Sequence, residues 1–374
     1  MQSTRPLAFG KTIKALSFLG IAFYLPWATA HEDLTFTTWT GPYMRSQMLG
    51  FVNPYQNTTG KKVNVDHYAG GIDEIRNQVE SANVTWDVVD LTQADSLRAC
   101  EEGLLEKFDH SVLPSGADGS SYKDDFIDGA LNPCGVGVIV WATVFAYDNQ
   151  AFSDTKPVVI ADFFDIQNFP GRRAIRRDPA VIMEWALLAD GVPADEIYPM
   201  LETEQGLQRA FTKLNQIKPH IVWWKNGRDP INLLNNSEVT MSSIWATTGV
   251  EGSKEADSHF TVEWDGRVIE MDLFGIVKGT PNLQEANEFI KFASNSKSLA
   301  EQAKYLANGP TRKSSLSLIP EAVRDNLPNG PLHEDQTSVV SDAQWWAKNY
   351  TAIAERFSAW AAEASMKGAS GTVR

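Results

Sequence analysis

The sequence is poor in reactive side chains. It has two cysteines and six histidines in 374 residues. His31, His67, His110, His220, His259 and His333 are scattered, and neither cysteine has a metal-type partner nearby, so no metal site is predicted. GxSxG, HExxH and P-loop motifs are missing. Gly135-Val136-Gly137 lacks the third glycine and the helix of a dinucleotide fingerprint. No cofactor, no catalytic residue and no enzyme are therefore predicted. Acids are plentiful enough to leave a glycosidase-type carboxylate pair as the one enzymatic alternative. Basic charge is short as well: 33 Lys and Arg stand against 47 Asp and Glu, a net charge of −14. That excludes nucleic acid, whose phosphates need a basic face, and is compatible with a cationic solute.

Only one long apolar run is present, at the start of the chain. Residues 1–30 carry Arg5, Lys11 and Lys14, then apolar Ala15–Trp27, then Ala28-Thr29-Ala30. This is the layout of a secretory signal, with cleavage predicted after Ala30 and a periplasmic mature protein. No cysteine sits at the cleavage site to carry a lipid. In an exported chain the pair Cys100 and Cys134 predicts one disulfide, with two separate buried thiols as the alternative.

The mature chain is longer than one comfortable core, so two domains are expected. Strands are predicted at Leu34–Trp39, at Val63–His67, where Val63, Val65 and His67 alternate with polar residues, and at Trp86–Leu91, which reads as buried. Helices are predicted between them, from Pro42 to Asn57 with a bend at Pro54, and after Gly70-Gly71 with Ile72, Ile75 and Val79 on one face. This β-α-β-α-β order implies a parallel sheet. Val136–Tyr147 is too long for one ordinary strand and reads as a crossing between domains, with Val268–Val277 as a second. Between the crossings come helices Ala161–Ile166, Val181–Ala189, Gln205–Asn215 and Pro230–Asn235. Strands Arg173–Arg176, His220–Trp224 and Val239–Trp245 accompany them. Helix Leu283–Ser294 places Leu283, Ala286, Phe289, Ile290 and Ala293 on one apolar face. Trp346, Tyr350, Ile353, Phe357 and Trp360 form a packing stripe on a last helix. Trp39 and Tyr43 flank a Gly-Pro turn at the first strand's tip, where open α/β sheets bind ligands.

Several blocks resemble a known family. TWTGPY at 38–43, TWDVVDL at 85–91, CEEGLLEKFD at 100–109, CGVGVIVWATVFAYD at 134–148, ADFFDIQNFPGRRAIRR at 161–177, PHIVWW at 219–224 and NGPTRK at 308–313 carry the likeness. The chain resembles the periplasmic substrate-binding proteins of ABC importers, in the spermidine/putrescine-binding branch. The resemblance implies a two-lobed α/β fold of type II, each lobe a mostly parallel sheet flanked by helices, with two hinge crossovers. It implies lobe 1 at 31–145 plus 272–310, lobe 2 at 146–271, and C-terminal helices at 311–374 packing across both. It implies a small amine in the cleft, a membrane permease as partner, and a monomer.

By position the resemblance offers Trp39, Tyr43 and Trp245 as aromatic walls, and Asp272 and Asp178 as amine anchors; Trp224 is a further wall candidate, although Trp223 and Trp224 alternate and one of them must face a core. Aromatic faces attract ammonium groups, and carboxylates fix them by charge-assisted hydrogen bonds. Where relatives carry further acids, Val181, Thr247 and Thr248 stand here. Where an aromatic commonly precedes the Asp272 match by two residues, Glu270 stands. With fewer anchors, a ligand with one cationic end fits as well as a polyamine. A zwitterion such as γ-aminobutyrate is the alternative, with Arg177 or Arg228 to bind its carboxylate.

Overall fold

The computed structural model describes residues 1–2, 33–328, 330–333 and 335–369, with backbone alone for 363–369. The chain divides into Met1–Glu32 and Asp33–Arg374. Apart from its first two residues, the first unit lies outside the described residues, and with it the predicted signal and cleavage site. No helix among the described residues is long and apolar enough to cross a membrane.

The predicted β-α-β-α-β run forms. Strands β1 (Leu34–Thr38), β2 (Val63–His67) and β3 (Val88–Thr92) pair in parallel. Between β1 and the first helix, Gly41 takes φ 84°, open to glycine at little cost, and Pro42 starts α1 (Pro42–Gln47). The expected single bent helix is three pieces: α1, a wide π-type turn at Met48–Val52, and α2 (Asn53–Thr59). Pro54 falls in the first turn of α2, where its missing N–H breaks nothing, so the irregularity sits upstream of it. Gly50 allows that turn to touch the later helix: a Cβ there would lie 2.8 Å from the Gln302 Cα. Helix α3 (Asp73–Glu80) buries Ile75. Helix α4 (Gln93–Glu101), which the pattern did not reveal, begins with the Thr92 side chain accepting from the Asp95 N–H.

Both predicted crossings are long strands, β4 (Gly135–Asp148) and later β8 (Phe260–Ile276). Between them lie α5 (Ile160–Phe164), β5 (Arg173–Arg176), α6 (Ile182–Ala189), α7 (Glu204–Ile217), β6 (Ile221–Trp224), α8 (Asp229–Asn235), β7 (Met241–Trp245) and α9 (Ala246–Ser253). The main path of the sheet runs β2-β1-β3-β8-β4-β7-β5-β6. β8 is antiparallel to β3 and β4, β7 is antiparallel to β4, and β5 and β6 are parallel to β7. The carboxyl ends of β1 and β3 therefore point toward those of β5 to β7. Thr92 ends β3 opposite Asp272, and Trp245 ends β7 opposite Thr143. The Trp141–Glu270 pair lies between these two points.

After β8 come α10 (Leu283–Ala293), α11 (Ser296–Tyr305) and α12 (Ala343–Ala369). Ala286, Phe289, Ile290 and Ala293 are buried as expected, but Leu283 is exposed because it opens α10 one turn ahead of the packed residues. On α12, Trp346, Ile353, Phe357 and Trp360 are core residues, packed with Trp185 of α6 and Phe211 of α7. The α12 stripe is thus packing, as its spacing predicted.

Cys100, in the last turn of α4, is bonded to Cys134 just ahead of β4, with the Cα atoms 5.6 Å apart. The bridge closes a loop of sequence separation 34. Such a closure contributes about 3–4 kcal/mol by restricting the unfolded chain. Replacing both cysteines by serine is expected to lower the unfolding free energy by about that amount in urea titrations. An unchanged midpoint would show that the bridge carries no stability.

Candidate ligand-binding site

One face of the sheet changes character along its strands. Phe36 of β1, Val88 of β3 and Phe274 and Ile276 of β8 share an apolar core. Two residues further toward the middle, the same face carries Thr38, Asp90 and Asp272, and beyond them Glu270 with its cross-strand partner Trp141. A hydrophobic surface thus grades into carboxyls where the two sets of strand ends meet.

Asp90 is fully buried. Its Oδ2 accepts from Gln47 Nε2 at 2.6 Å, Tyr43 Oη at 2.8 Å and Thr38 Oγ1 at 3.0 Å, while its Oδ1 has no partner. Asp272 is buried too, and its Oδ1 accepts from the Trp141 indole at 2.8 Å. The Tyr43 hydroxyl donates to Asp90 and also faces Asp272. No ion pair among the described residues neutralises Asp90, Asp272 or Glu270. Burial pushes Asp90 up to about 7 against the pull of its three donors. It pushes Glu270 up to about 8, with Arg176 opposing. Asp272 is held well above the carboxylate range, first by burial and then by Asp90.

Aromatics stand around these acids. Trp39 is half-buried, with its ring 6.1 Å from Tyr43 and 5.6 Å from Tyr68. The Tyr68 hydroxyl donates to the Asp90 carbonyl. Gly70, at φ 90°, passes against the Trp39 indole, where a Cβ would lie 3.2 Å from Nε1. On the other side, Trp245 is half-buried at the end of β7, and Gly227 makes room for it: a Cβ there would meet the ring at 2.6 Å. The Arg176 guanidinium lies 5.7 Å from the Trp245 ring centroid. Its side chain makes no hydrogen bond and no ion pair among the described residues. Arg176, Glu270, Thr143 and Trp224 share the walls of a cavity of ≈ 20 Å³, room for water.

The remaining expected residues sit further back. Trp224 is fully buried, edge-on to Trp245 at 5.6 Å, with its indole donating to Ser243 Oγ at 3.0 Å. It backs the wall instead of presenting a face, because Trp223 on the opposite side of β6 is taken by Phe357 and Trp360 of α12. Asp178 accepts from the Ala180 N–H at 3.0 Å and from Tyr350 Oη at 3.2 Å. It makes no cap for α6, whose first turn follows Val181 at φ 75°. Arg98 of α4 lies over the Tyr350 ring at 5.0 Å and pairs with Asp95 at 3.0 Å. Arg177 is exposed, and Arg228 is held on both nitrogens by Glu255. Neither is the arginine beside the aromatic wall.

The structure therefore brings Trp39, Tyr43 and Asp272 together through Asp90, and sets Trp245 beside Arg176. Sequence reading missed Asp90, Trp141, Glu270 and Arg176 as site residues. Asp90 had a signal, a lone acid inside the apolar strand Val88–Leu91, and Glu270 had another, its two-residue spacing from Asp272.

Residues 50–328 match the family described as bacterial extracellular solute-binding protein. The γ-aminobutyric acid-binding protein of Pseudomonas aeruginosa is 32% identical over 95% of this chain and 98% of its own length. Among solved structures, the periplasmic binding protein MotA of A. tumefaciens B6, in complex with glucopine, aligns with TM-score 0.81 and 26% identity over 88% of this chain and 99% of that one. A GABA receptor aligns with TM-score 0.76 and 29% identity over 88% and 97%. The likeness to spermidine/putrescine-binding periplasmic protein 1 of Haemophilus influenzae is more distant, 20% identity over 85% of each chain. The chain belongs to the bacterial extracellular solute-binding proteins, the small-molecule receptors of ABC transporters, and has their two-lobed type II fold.

Proposed function

We propose that this chain is an exported receptor for a small zwitterion of the γ-aminobutyrate type, which it delivers to a membrane permease. The observation that carries this reading is the Arg176 guanidinium against Trp245, which like the carboxyls of Asp90 and Asp272 has no ion-pair partner among the described residues. A polyamine would bring a second ammonium toward that guanidinium. A short amino acid instead brings its ammonium to Asp272, its carboxylate to Arg176 and its methylenes to the aromatic rings. Trp39 and Tyr43 then form one wall and Trp245, backed by Trp224, the other. Asp178 orients Tyr350 at the rim. The names of two relatives, one a γ-aminobutyric acid-binding protein and one a GABA receptor, support the same ligand class.

In this reading the lobes are 31–145 with 272–310, and 146–271, and β4 and β8 form the hinge crossings. Helix α12 packs mainly on the second lobe and reaches α4 of the first through Tyr350 and Arg98. Export, with cleavage after Ala30 into the periplasm, and a monomeric state belong to the same proposal.

A thermal-shift series with γ-aminobutyrate, putrescine, spermidine and choline tests it. γ-Aminobutyrate at 100 times its dissociation constant is expected to stabilise by about 2.7 kcal/mol. A shift with putrescine and none with γ-aminobutyrate would overturn the zwitterion reading. In calorimetry, Asp272→Asn and Arg176→Ala are each expected to weaken γ-aminobutyrate at least roughly tenfold, about 1.4 kcal/mol. Arg176→Ala should leave n-butylamine, which lacks the carboxylate, no weaker.

The raised acids also set the pH response of the ligand-free protein. Asp90 and Glu270 keep protons up to about 7 and about 8, whereas unfolded carboxyls lose theirs near 4. Between those limits the folded state binds more protons than the unfolded one, so stability falls as pH rises. The melting temperature of ligand-free protein is expected to be higher at pH 5 than at pH 8, and Glu270→Gln is expected to reduce that difference. A melting temperature that rises across the interval would contradict the assignment.

A further inference from the structure

We propose that Asp90 and Asp272 hold one proton between them in the unliganded cleft, and that the ammonium group of an arriving ligand expels it to solvent. The inference rests on the reading that the ligand carries an ammonium group. It makes Asp90, which no ligand need touch, a positioning residue for the amine site.

The geometry follows from the sheet register. Thr92 pairs with Asp272 and Asp90 pairs with Phe274, so Asp90 and Asp272 are diagonal neighbours on one face of β3 and β8. Counting hydrogens exposes a deficit. The Tyr43 hydroxyl has one hydrogen and gives it to Asp90 Oδ2 at 2.8 Å. That single hydrogen is then not available to Asp272, which Tyr43 also faces. Asp90 Oδ1 is buried and has no partner, whereas Oδ2 of the same group accepts from Gln47 and Tyr43 and shares the one Thr38 hydroxyl hydrogen with Gln47 Oε1, 2.7 Å from Thr38. Trp141 supplies one hydrogen to Asp272, and no nitrogen cation reaches either acid. Two ionised carboxylates in this place would be buried like charges without compensation. One shared proton removes one charge and supplies the hydrogen that is missing.

The surroundings agree. From β8, Glu270 faces Asp272 as a further acid. From α4, Asp95 is near Tyr68, whose hydroxyl is bonded to the Asp90 backbone. Asp95 is itself paired with Arg98. From the far side, Arg176 and Asp178 act on Glu270. Tyr43 and Gln47 of α1 and Thr38 of β1 contribute hydrogen bonds and no charge. Exchange of the proton for an ammonium keeps the charge constant: one positive charge enters, one leaves, and both acids end ionised, with the ligand nitrogen at Asp272 and Asp90 behind it. The desolvated site therefore never has to take up an additional net charge.

Two measurements test this, one without ligand. In carbon-13 spectra of ligand-free protein labelled at aspartate carboxyls, two resonances are expected to titrate together with a step near neutral pH. Asp90→Asn keeps an acceptor for the three donors and places an amide N–H at the unpartnered position. It is expected to abolish the coupled step while leaving the fold, read by circular dichroism, intact. Two aspartates that are both ionised throughout pH 5–8 would overturn the proposal whatever binds. In calorimetry with γ-aminobutyrate near pH 6, run in buffers of different ionisation enthalpy, the wild type is expected to release about one proton per ligand. Asp90→Asn is expected to release far less. Equal release from both proteins, or binding by the wild type without release, would also overturn it. A coupled step in the spectra with no γ-aminobutyrate binding would instead count against the ligand assignment and leave the shared proton standing.

Discussion

Everything at the site depends on two strands that run through both halves of the sheet. β4 pairs with β8 along nearly its whole length, and β8 also closes the edge of β3. The first half gains its last neighbour from β8, and the second half hangs from β4 through β7. Because the flanking strands run in opposite senses in the two halves, their carboxyl ends are aimed at one another over Trp141 and Glu270. That arrangement allows residues distant in sequence, Trp39, Asp90, Arg176, Trp245 and Asp272, to converge on one short stretch of two strands.

The chemistry of the convergence is an imbalance. Most charged side chains here are solvated or paired, as Lys61 is with Glu285 and Glu288, or Arg312 with Asp125 in the core. Among the described residues, buried Asp90 and Asp272 and half-buried Glu270 have no ion-pair partner, and neither has Arg176. Such groups cost stability in the isolated fold. The unmet demand lies on both halves of the sheet, so its pattern describes the site better than any single residue does.

Much of the fold was legible because it rests on local patterns. Alternation marked β2, a buried run marked β3, and excess apolar length marked the first crossing strand, β4. The threefold and fourfold spacing of Trp346, Tyr350, Ile353, Phe357 and Trp360 marked α12. Helices α4 and α9 were missed because they begin directly at strand ends, Thr92 and Trp245, with no polar break between. The site was legible only in part. Trp39, Tyr43, Trp245 and Asp272 sit at strand ends or on a crossing strand, positions that topology favours. Which partner each meets is a matter of register. Arg176 and Arg177 differ by one residue in sequence and by a whole sheet face in space, so choosing between them needed the pairing of β5 with β6. Trp224 was drawn toward the cleft by its type, but the same alternation that places Trp223 on α12 turns it into the core behind Trp245.

The sheet order carries a consequence for how this chain is made. β3 ends at Thr92, but its neighbour on the open side, β8, spans Phe260–Ile276. During synthesis the first three strands emerge with a bare edge and wait for some 170 further residues. Native pairing cannot be completed until nearly three quarters of the chain is available. An exposed edge of this kind invites pairing between chains. The buried acid pair is thus assembled late, when β8 inserts and brings Asp272 beside Asp90 on β3.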